Sequence, residues 1–308
     1  AAEMDALLIL NASGLSPRHQ FALIEALGSA ALALAAPDPD LLAVEGFSRA
    51  QVARIRATSR SVGADSIRRL CDEHGVEPLA YTDPRYPPLL AHAGERTPLL
   101  FVQGTLEGRD DLSIAIVGTR KCTAYGLSMA SKLSSDLARR GFTVVSGLAQ
   151  GIDTEAHREA LEAGGRTIAV MASGADITFP SENRNLRRRI AQSGAVVTEY
   201  AFGTPPQRQR FPARNRLISA LSLGVVVVEA PVRSGALITA RLAGEQGREV
   251  FAVPGDATRP ESRGANALIR DGAHLVEFAE DVVAGLGILL TAVPERQKQP
   301  STEGLPQE

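Results

Sequence analysis

The 308 residues are 44% hydrophobic and 22% charged, enough apolar material for a large core and a second, smaller unit. No run approaches the roughly 20 apolar residues that span a bilayer, and no basic segment followed by a long apolar one opens the chain, so no membrane association and a cytoplasmic location are expected. The net charge of -2 speaks against a uniformly basic nucleic-acid binder, and two distant cysteines without CxxC spacing, Cys71 and Cys122, suggest neither a disulfide framework nor a zinc site.

Residues 1–77 are rich in Ala and Leu at helical spacing, as in HQFALIEALGSAALALAA, and predict a small all-helical N-terminal domain without a strand. Within it, ASGLSPRHQFALIEALG and AVEGFSRAQVARIRA share a plan: a glycine-containing turn, a polar cap at Ser16 or Ser48, then an amphipathic helix. Paired turns of this kind are similar to helix-hairpin-helix elements, which grip DNA backbones through turn amides. A packing or partner domain explains the same features, and Phe47 and Ser48 follow Gly46 where a second glycine is expected. Residues 81–104 are proline-dense and end in an apolar strand at 99–102. Strand-like runs follow at 114–117, 143–145, 167–171, 195–198, 225–228 and 250–253, separated by stretches that mostly fit one helix each. The alternation predicts an α/β domain over 78–286, an extended Rossmann-like and mainly parallel sheet with helices on both faces. The run at 225–228, apolar without alternation, reads as a central strand. Residues 287–308 turn polar and proline-bearing and read as a disordered tail.

Charge is unevenly placed. From Arg184 to Arg216 eight arginines face one acid, Glu199, so this segment carries +7 and the remainder -9. In doubly wound sheets ligands bind where strands end and helices begin, so each such turn is a candidate. After the first core strand, GTRKCTAYG lacks the G-x-G-x-x-G fingerprint, which speaks against a nicotinamide cofactor. Its Gly118, Thr119, Arg120 and Lys121 suit a phosphate held by side chains and amides. After the second, Gly147 and Gly151 allow close backbone approach, and Asp153 is expected to cap the next helix. His157 with Asp153 and Glu155 lacks a second histidine at ligand spacing, so no metal site is expected.

After the third strand, Phe179 and Pro180 form an aromatic-proline turn, and Ser181 is expected to cap a helix carrying Arg184, Arg187 and Arg188 on one side. After the fourth, RFPARNRLISALS and the residues before it are expected to gather Arg208, Arg210, Arg214 and Arg216 with Phe211. Cations at a helix start oppose its dipole unless an anion compensates. After the fifth, Ser234 and Gly235 precede a helix containing Thr239, with Arg233 adjacent, forming another amide-lined anion turn. Phe179, Tyr200, Phe202 and Phe211 are placed to stack bases or to pack a core. No nucleophile and base pair emerges, so the pattern points to a groove for a multi-phosphate polymer rather than to an enzyme, and no cofactor is expected.

Nine motifs in order, YPPLL, IAIVGTR, VSGLAQGIDTEAH, FPSENRNL, FPARNRLISALS, VVVVEA, SGALITA, REVFAVPG and GANALIRDGA, cover about residues 80–276. They resemble the DNA-processing protein A family, DprA, also called Smf. That resemblance implies a Rossmann-like domain behind a small helical one, and homodimers formed through the sheet domain. It also implies binding and protection of single-stranded DNA, and loading of the recombinase RecA past single-strand-binding protein during natural transformation. It further implies that Gly118, Thr119 and Arg120 form one phosphate turn and Ser146 with Gly147 another, with Phe211, Arg214 and Asn215 in the same pocket and Ser234, Gly235 and Thr239 on its wall. A lysine often found after the aromatic-proline turn is replaced here by Ser181 and Glu182, so Arg184, and Arg188 beyond it, are the bases left on that path. Many relatives carry a C-terminal winged-helix-type module that has no counterpart in these residues. The contrasting reading is a nucleotide phosphoribohydrolase of the lysine-decarboxylase-like group with Glu229 and Arg214 as catalytic residues, but PVRSGALIT stands where its PGGxGTxxE signature would lie. On the DNA-binding reading, Arg120→Ala and Arg214→Ala each weaken binding without unfolding the protein.

Overall fold

The structure, a computed structural model, describes residues 2–94 and 96–287; the tail expected over 287–308 lies, from 288 on, outside the described residues. The N-terminal part consists of α1 (Ala2–Ala12), α2 (Pro17–Leu27), α3 (Ala30–Ala35), α4 (Asp38–Ala43), α5 (Arg49–Ser61) and α6 (Ala64–His74). Both caps expected in this part form. Ser16 accepts the His19 N–H at the start of α2, and Ser48 makes a capping box with Gln51 on α5.

Nine strands follow: β1 (Val76–Ala80), β2 (Leu99–Gly104), β3 (Ser113–Val117), β4 (Thr143–Ser146), β5 (Thr167–Val170), β6 (Ala195–Thr198), β7 (Gly224–Val227), β8 (Glu249–Ala252) and β9 (His274–Leu275). They form one sheet in the order β1-β2-β6-β5-β4-β3-β7-β8-β9. Only the β1–β2 and β2–β6 pairings are antiparallel. The expected strand at 225–228 lies centrally as β7, and all four of its residues are buried. The boundary expected at residue 77 falls inside β1, an edge strand that carries Pro78 where an N–H is not needed.

Between and after the strands lie α7 (Pro88–Ala91), α8 (Ala124–Arg139), α9 (Ile152–Glu162), α10 (Arg184–Ser193), α11 (Arg210–Ala220), α12 (Gly235–Glu245), α13 (Arg263–Arg270) and α14 (Ala279–Gly285). Strand alternation sends Ala115 and Val117 of β3 into a core with α11 and α12, and Ile114 and Ile116 into another with α8, α9 and α14. The same alternation on β2 joins the helical part to the sheet. Leu100 and Val102 enter the sheet core, while Leu99 and Phe101, at most 2% exposed, pack with Leu7, Leu23, Ile24 and Ile55 of the helices. Each such buried side chain is worth about 1.5–3 kcal/mol, so the helical part is firmly docked on the β1–β2 edge.

The chain moves outward from β3 through β4 and β5 to β6, then returns to place β7 against the other side of β3. The direction of winding therefore reverses between β3 and β7, and the crevice above their carboxyl ends is where such a sheet takes a ligand.

Candidate functional site

A cleft of about 580 Å³ opens at this switch point. Its floor begins at the turn after β3. A Cβ on Gly118 would approach Ile152 to 2.5 Å and the Glu229 carbonyl to 3.0 Å, so the turn needs glycine for close packing. The Thr119 N–H donates to that same carbonyl at 2.7 Å, which ties the β3 and β7 turns together. The Glu229 carboxylate, 3% exposed, accepts the N–H and the hydroxyl of Thr123, both at 2.8 Å, at the N-terminus of α8. That is where a dinucleotide's pyrophosphate lies in a Rossmann sheet. Here the protein's own carboxylate occupies the position, and Gly126 is the residue that leaves room for it.

The turn after β4 is built from inside. Asp153 does not cap its own helix, whose N-cap is Gly151. Its carboxylate instead accepts the N–H groups of Gly147 at 3.1 Å and Ala149 at 3.4 Å, bracketing Leu148, a non-glycine residue with φ +56°. Arg214 reaches into the same turn and donates to the carbonyls of Gly147, at 2.7 Å, and Val170. A Cβ on Gly147 would meet the Arg214 guanidinium at 2.7 Å and the Asp153 carboxylate at 2.8 Å. Burial pushes the Asp153 carboxyl above its usual range although Arg214 opposes this, and burial pulls Arg214 down to about 10. Ser146 is turned into the sheet, donating to the Ile116 carbonyl at 2.6 Å, so its hydroxyl serves the strands rather than the cleft. His157 is also internal, with Nδ1 2.6 Å from Thr167 Oγ1. Among the described residues no three His, Cys, Asp or Glu side chains are placed to hold a metal.

The four arginines expected to cluster around Phe211 separate: Arg208 precedes α11, and Arg210, Arg214 and Arg216 on that helix each take different partners. Arg208 lines the switch-point cleft, while Arg210 stacks toward Tyr200 in a neighbouring cleft. Arg214 is 3% exposed beneath the switch-point cleft, and Arg216 pairs with the buried Glu199. On α10 the picture is similar. Ser181 does not cap that helix, which is preceded by a short 3-10 turn over Ser181–Asn183 and has Asn183 at its N-cap without a side-chain bond. Arg187 is buried, donating to Ala175 and Thr178, whereas Arg184 and Arg188 are exposed and do not line the switch-point cleft.

What the cleft does gather is specific. Arg120, Lys121, Arg208 and Arg233 are exposed around it, and among the described residues none of them is ion-paired with a carboxylate. Arg214 adds a buried charge beneath, against Asp153 and Glu261 on the acidic side. Arg120 places its guanidinium carbon 4.8 Å from the centre of the Phe211 ring, which in turn lies 5.7 Å from the ring of Phe179, itself 46% exposed. An arginine and two aromatic rings in sequence form an accessible stacking surface. On the far wall Ser234 caps α12, accepting the Ala236 N–H at 3.3 Å. Asn215 donates to the Gly235 carbonyl at 3.3 Å, and Thr239 is buried behind them. No atom lies within 4 Å of a Cβ position at Gly235, so the first turn of α12 is open to an anion. Glu261 and Pro260, contributed after β8, complete the rim and were not singled out in the sequence, where they lack strand or helix periodicity.

The profile of the family described as DNA recombination-mediator protein A matches residues 77–287. Protein Smf of Synechocystis is 39% identical over 250 residues, 80% of this chain and 63% of that protein. DNA processing protein DprA of Bacillus subtilis is 41% identical over 231 residues, 74% of each chain. The X-ray structure of DNA processing protein A from Streptococcus pneumoniae superposes with a TM-score of 0.80 at 34% identity, covering 90% of this chain and 95% of that one. The Helicobacter pylori protein, whose structure is described as giving insight into a unique single-stranded DNA binding mode, superposes with a TM-score of 0.61 at 30% identity over 70% and 96%. The match spans 63% of the Synechocystis protein and 56% of Protein Smf of Escherichia coli, less than two thirds of either relative's length. With two thirds of its length matched by one family, including every turn that lines the switch-point cleft, the chain belongs to the DNA recombination-mediator protein A family.

Proposed function

We propose that this chain binds single-stranded DNA at the switch-point cleft without chemically altering it. We further propose that it protects incoming strands and, as a cytoplasmic homodimer, helps load RecA past single-strand-binding protein during natural transformation. One observation carries the binding reading: four cations without carboxylate partners among the described residues line the cleft, one of them, Arg120, stacked with Phe211 and the exposed Phe179. Unpaired surface cations give phosphate affinity that salt weakens, and exposed rings give sequence-tolerant stacking on bases. The non-enzymatic part is supported by Glu229, whose carboxylate is engaged by Thr123, and by Arg214, which is engaged by two backbone carbonyls. The described single-stranded DNA binding mode of the Helicobacter pylori relative agrees with this reading.

The test is fluorescence anisotropy of a labelled oligothymidine about 6 nucleotides long across a salt series, with duplex of equal length as competitor. Neutralising about four phosphates gives a log-log salt slope near -2.8 and a preference for the single strand. A folded protein that binds neither strand, or prefers duplex, overturns the reading. Release of base from a nucleoside monophosphate in a parallel assay overturns the non-enzymatic part.

A further inference from the structure

A second cleft, of about 1280 Å³, lies between α2 and the loop that follows β6. Three arginines converge on it from separate elements: Arg18 from the first turn of α2, Arg96 from the segment before β2, and Arg210 from the first turn of α11. Two of them lie over rings, the guanidinium carbon of Arg96 4.5 Å from the centre of Phe21 and that of Arg210 5.8 Å from that of Tyr200. Among the described residues the acid facing them is Glu25, 3.8 Å from Arg96 and 68% exposed, a separation and exposure at which an ion pair is worth little. The other acid on the wall, Glu199, is already paired with Arg216. The rim is bare backbone at Gly14 and Gly203, both at positive φ with no atom within 4 Å of a Cβ position.

The two clefts meet at the first turn of α11, where Arg210 and Ala213 line this one and Phe211 and Pro212 line the first. Both open at the carboxyl ends of the parallel strands, one above β3 and β7 and the other beside β6 and β2, four strand spacings apart in the sheet. At about 4.8 Å per spacing that is about 19 Å. The first turn of α11 forms the ridge between them, with Phe211 facing one cleft and Arg210 the other.

We propose that the second cleft is a further subsite for single-stranded nucleic acid: a strand leaving the switch-point cleft crosses the first turn of α11 and continues with its phosphates along Arg210, Arg96 and Arg18. The inference rests on the DNA-binding reading above and adds the docked helical part to the path. Guanidinium planes on aromatic rings suit a flexible chain of phosphates and bases, whereas duplex is too stiff to bend over the ridge without cost.

The experiment compares oligothymidines from about 6 to about 20 nucleotides on the full chain, with Arg18→Glu alone and combined with Arg96→Gln. Arg18 is exposed at a helix N-terminus, where an acid favours the dipole, so the single variant keeps its fold. For wild type the salt slope steepens from about -2.8 on the shortest strand to about -4.9 on the longest, as about three more phosphates are neutralised. The double variant retains the short-strand slope and returns the long-strand slope to about -3.5. Variants that match wild type at every length, as they would if the cleft receives a protein, overturn the proposal while leaving the switch-point reading intact. Weakening equal at all lengths also overturns it, and wild type that binds no length removes both.

Discussion

Replacing Arg120 and Arg214 in turn separates the contact surface from the scaffold that shapes it. Arg120 is exposed, has no carboxylate partner among the described residues, and lies over the ring of Phe211. Its loss changes fold stability by no more than about 0.5 kcal/mol. One charge-assisted phosphate contact is worth about 1.5–3 kcal/mol, so Arg120→Ala weakens single-stranded DNA binding roughly 10- to 100-fold and flattens the short-strand salt slope to about -2.1. Arg214 is 3% exposed, bonds two carbonyls and balances the buried Asp153. Arg214→Ala strands those acceptors and a buried carboxylate, which costs about 3 kcal/mol or more and lowers Tm by roughly 10 °C. The assay pairs thermal melting by circular dichroism with anisotropy titrations well below the transition. An Arg120→Ala protein with wild-type affinity and slope, or an Arg214→Ala protein with wild-type Tm and no DNA binding, refutes the division.

Gly147→Ala and Gly235→Ala make a second contrast: the first collides with Arg214 and Asp153 and destabilises by about 1–3 kcal/mol. The second has open space on the protein side, so it melts like wild type and, by crowding the anion at α12, weakens binding several-fold in the same titrations. Phe179→Ala removes an exposed ring and lowers affinity for oligothymidine by about 1–3 kcal/mol while leaving an abasic strand of equal length unaffected; equal loss on both strands rules out stacking there. His157 sets an acid limit on stability. Because the Thr167 hydroxyl donates to the Val144 carbonyl, His157 Nδ1 is the donor to that hydroxyl, and Nε2 is left buried without a partner. Burial lowers its pKa to about 3 from 6.5, so its stability contribution is complete above about 6.5 and is lost as pH falls toward 3. Asp153, raised by burial, acts with the opposite sign, so the readout is a difference between proteins. His157→Gln removes a slope of about 1.4 kcal/mol per pH unit from the wild-type curve between about pH 6 and 4, measured by urea denaturation; parallel curves refute it.

Seven of the nine strands were legible because each is an apolar run between turn residues, and the ligand edge followed from their alternation with helices. β1 was hidden by Glu77 and Pro78, and β9 by its two exposed residues, His274 and Leu275. The site was legible as a set of turns but not in its division of labour. Counting arginines along RFPARNRLIS could not reveal that its three take different partners, Arg210 at Tyr200 in the second cleft, Arg214 buried beneath the first and Arg216 on Glu199. Asp153 looked like a cap because its position fits one, yet its carboxylate reaches back to Gly147 and Ala149. The signal available for Glu229 was its place directly after VVVV: an acid ending a buried strand must find donors at the adjoining turn.

The carboxylate of Glu229 at the head of α8 bears on competition in a crowded cell. A free nucleotide or inorganic phosphate commonly draws affinity for a Rossmann sheet from that cradle of amides, and here it is filled from within, which leaves the first turn of α12 as the open one. Ligands that touch only one or two of the surrounding arginines gain little, whereas a polymer sums its contacts across them all. On the DNA-binding reading, millimolar pools of mononucleotides are poor rivals for the cleft, and the protein reads chain length before it reads any single phosphate.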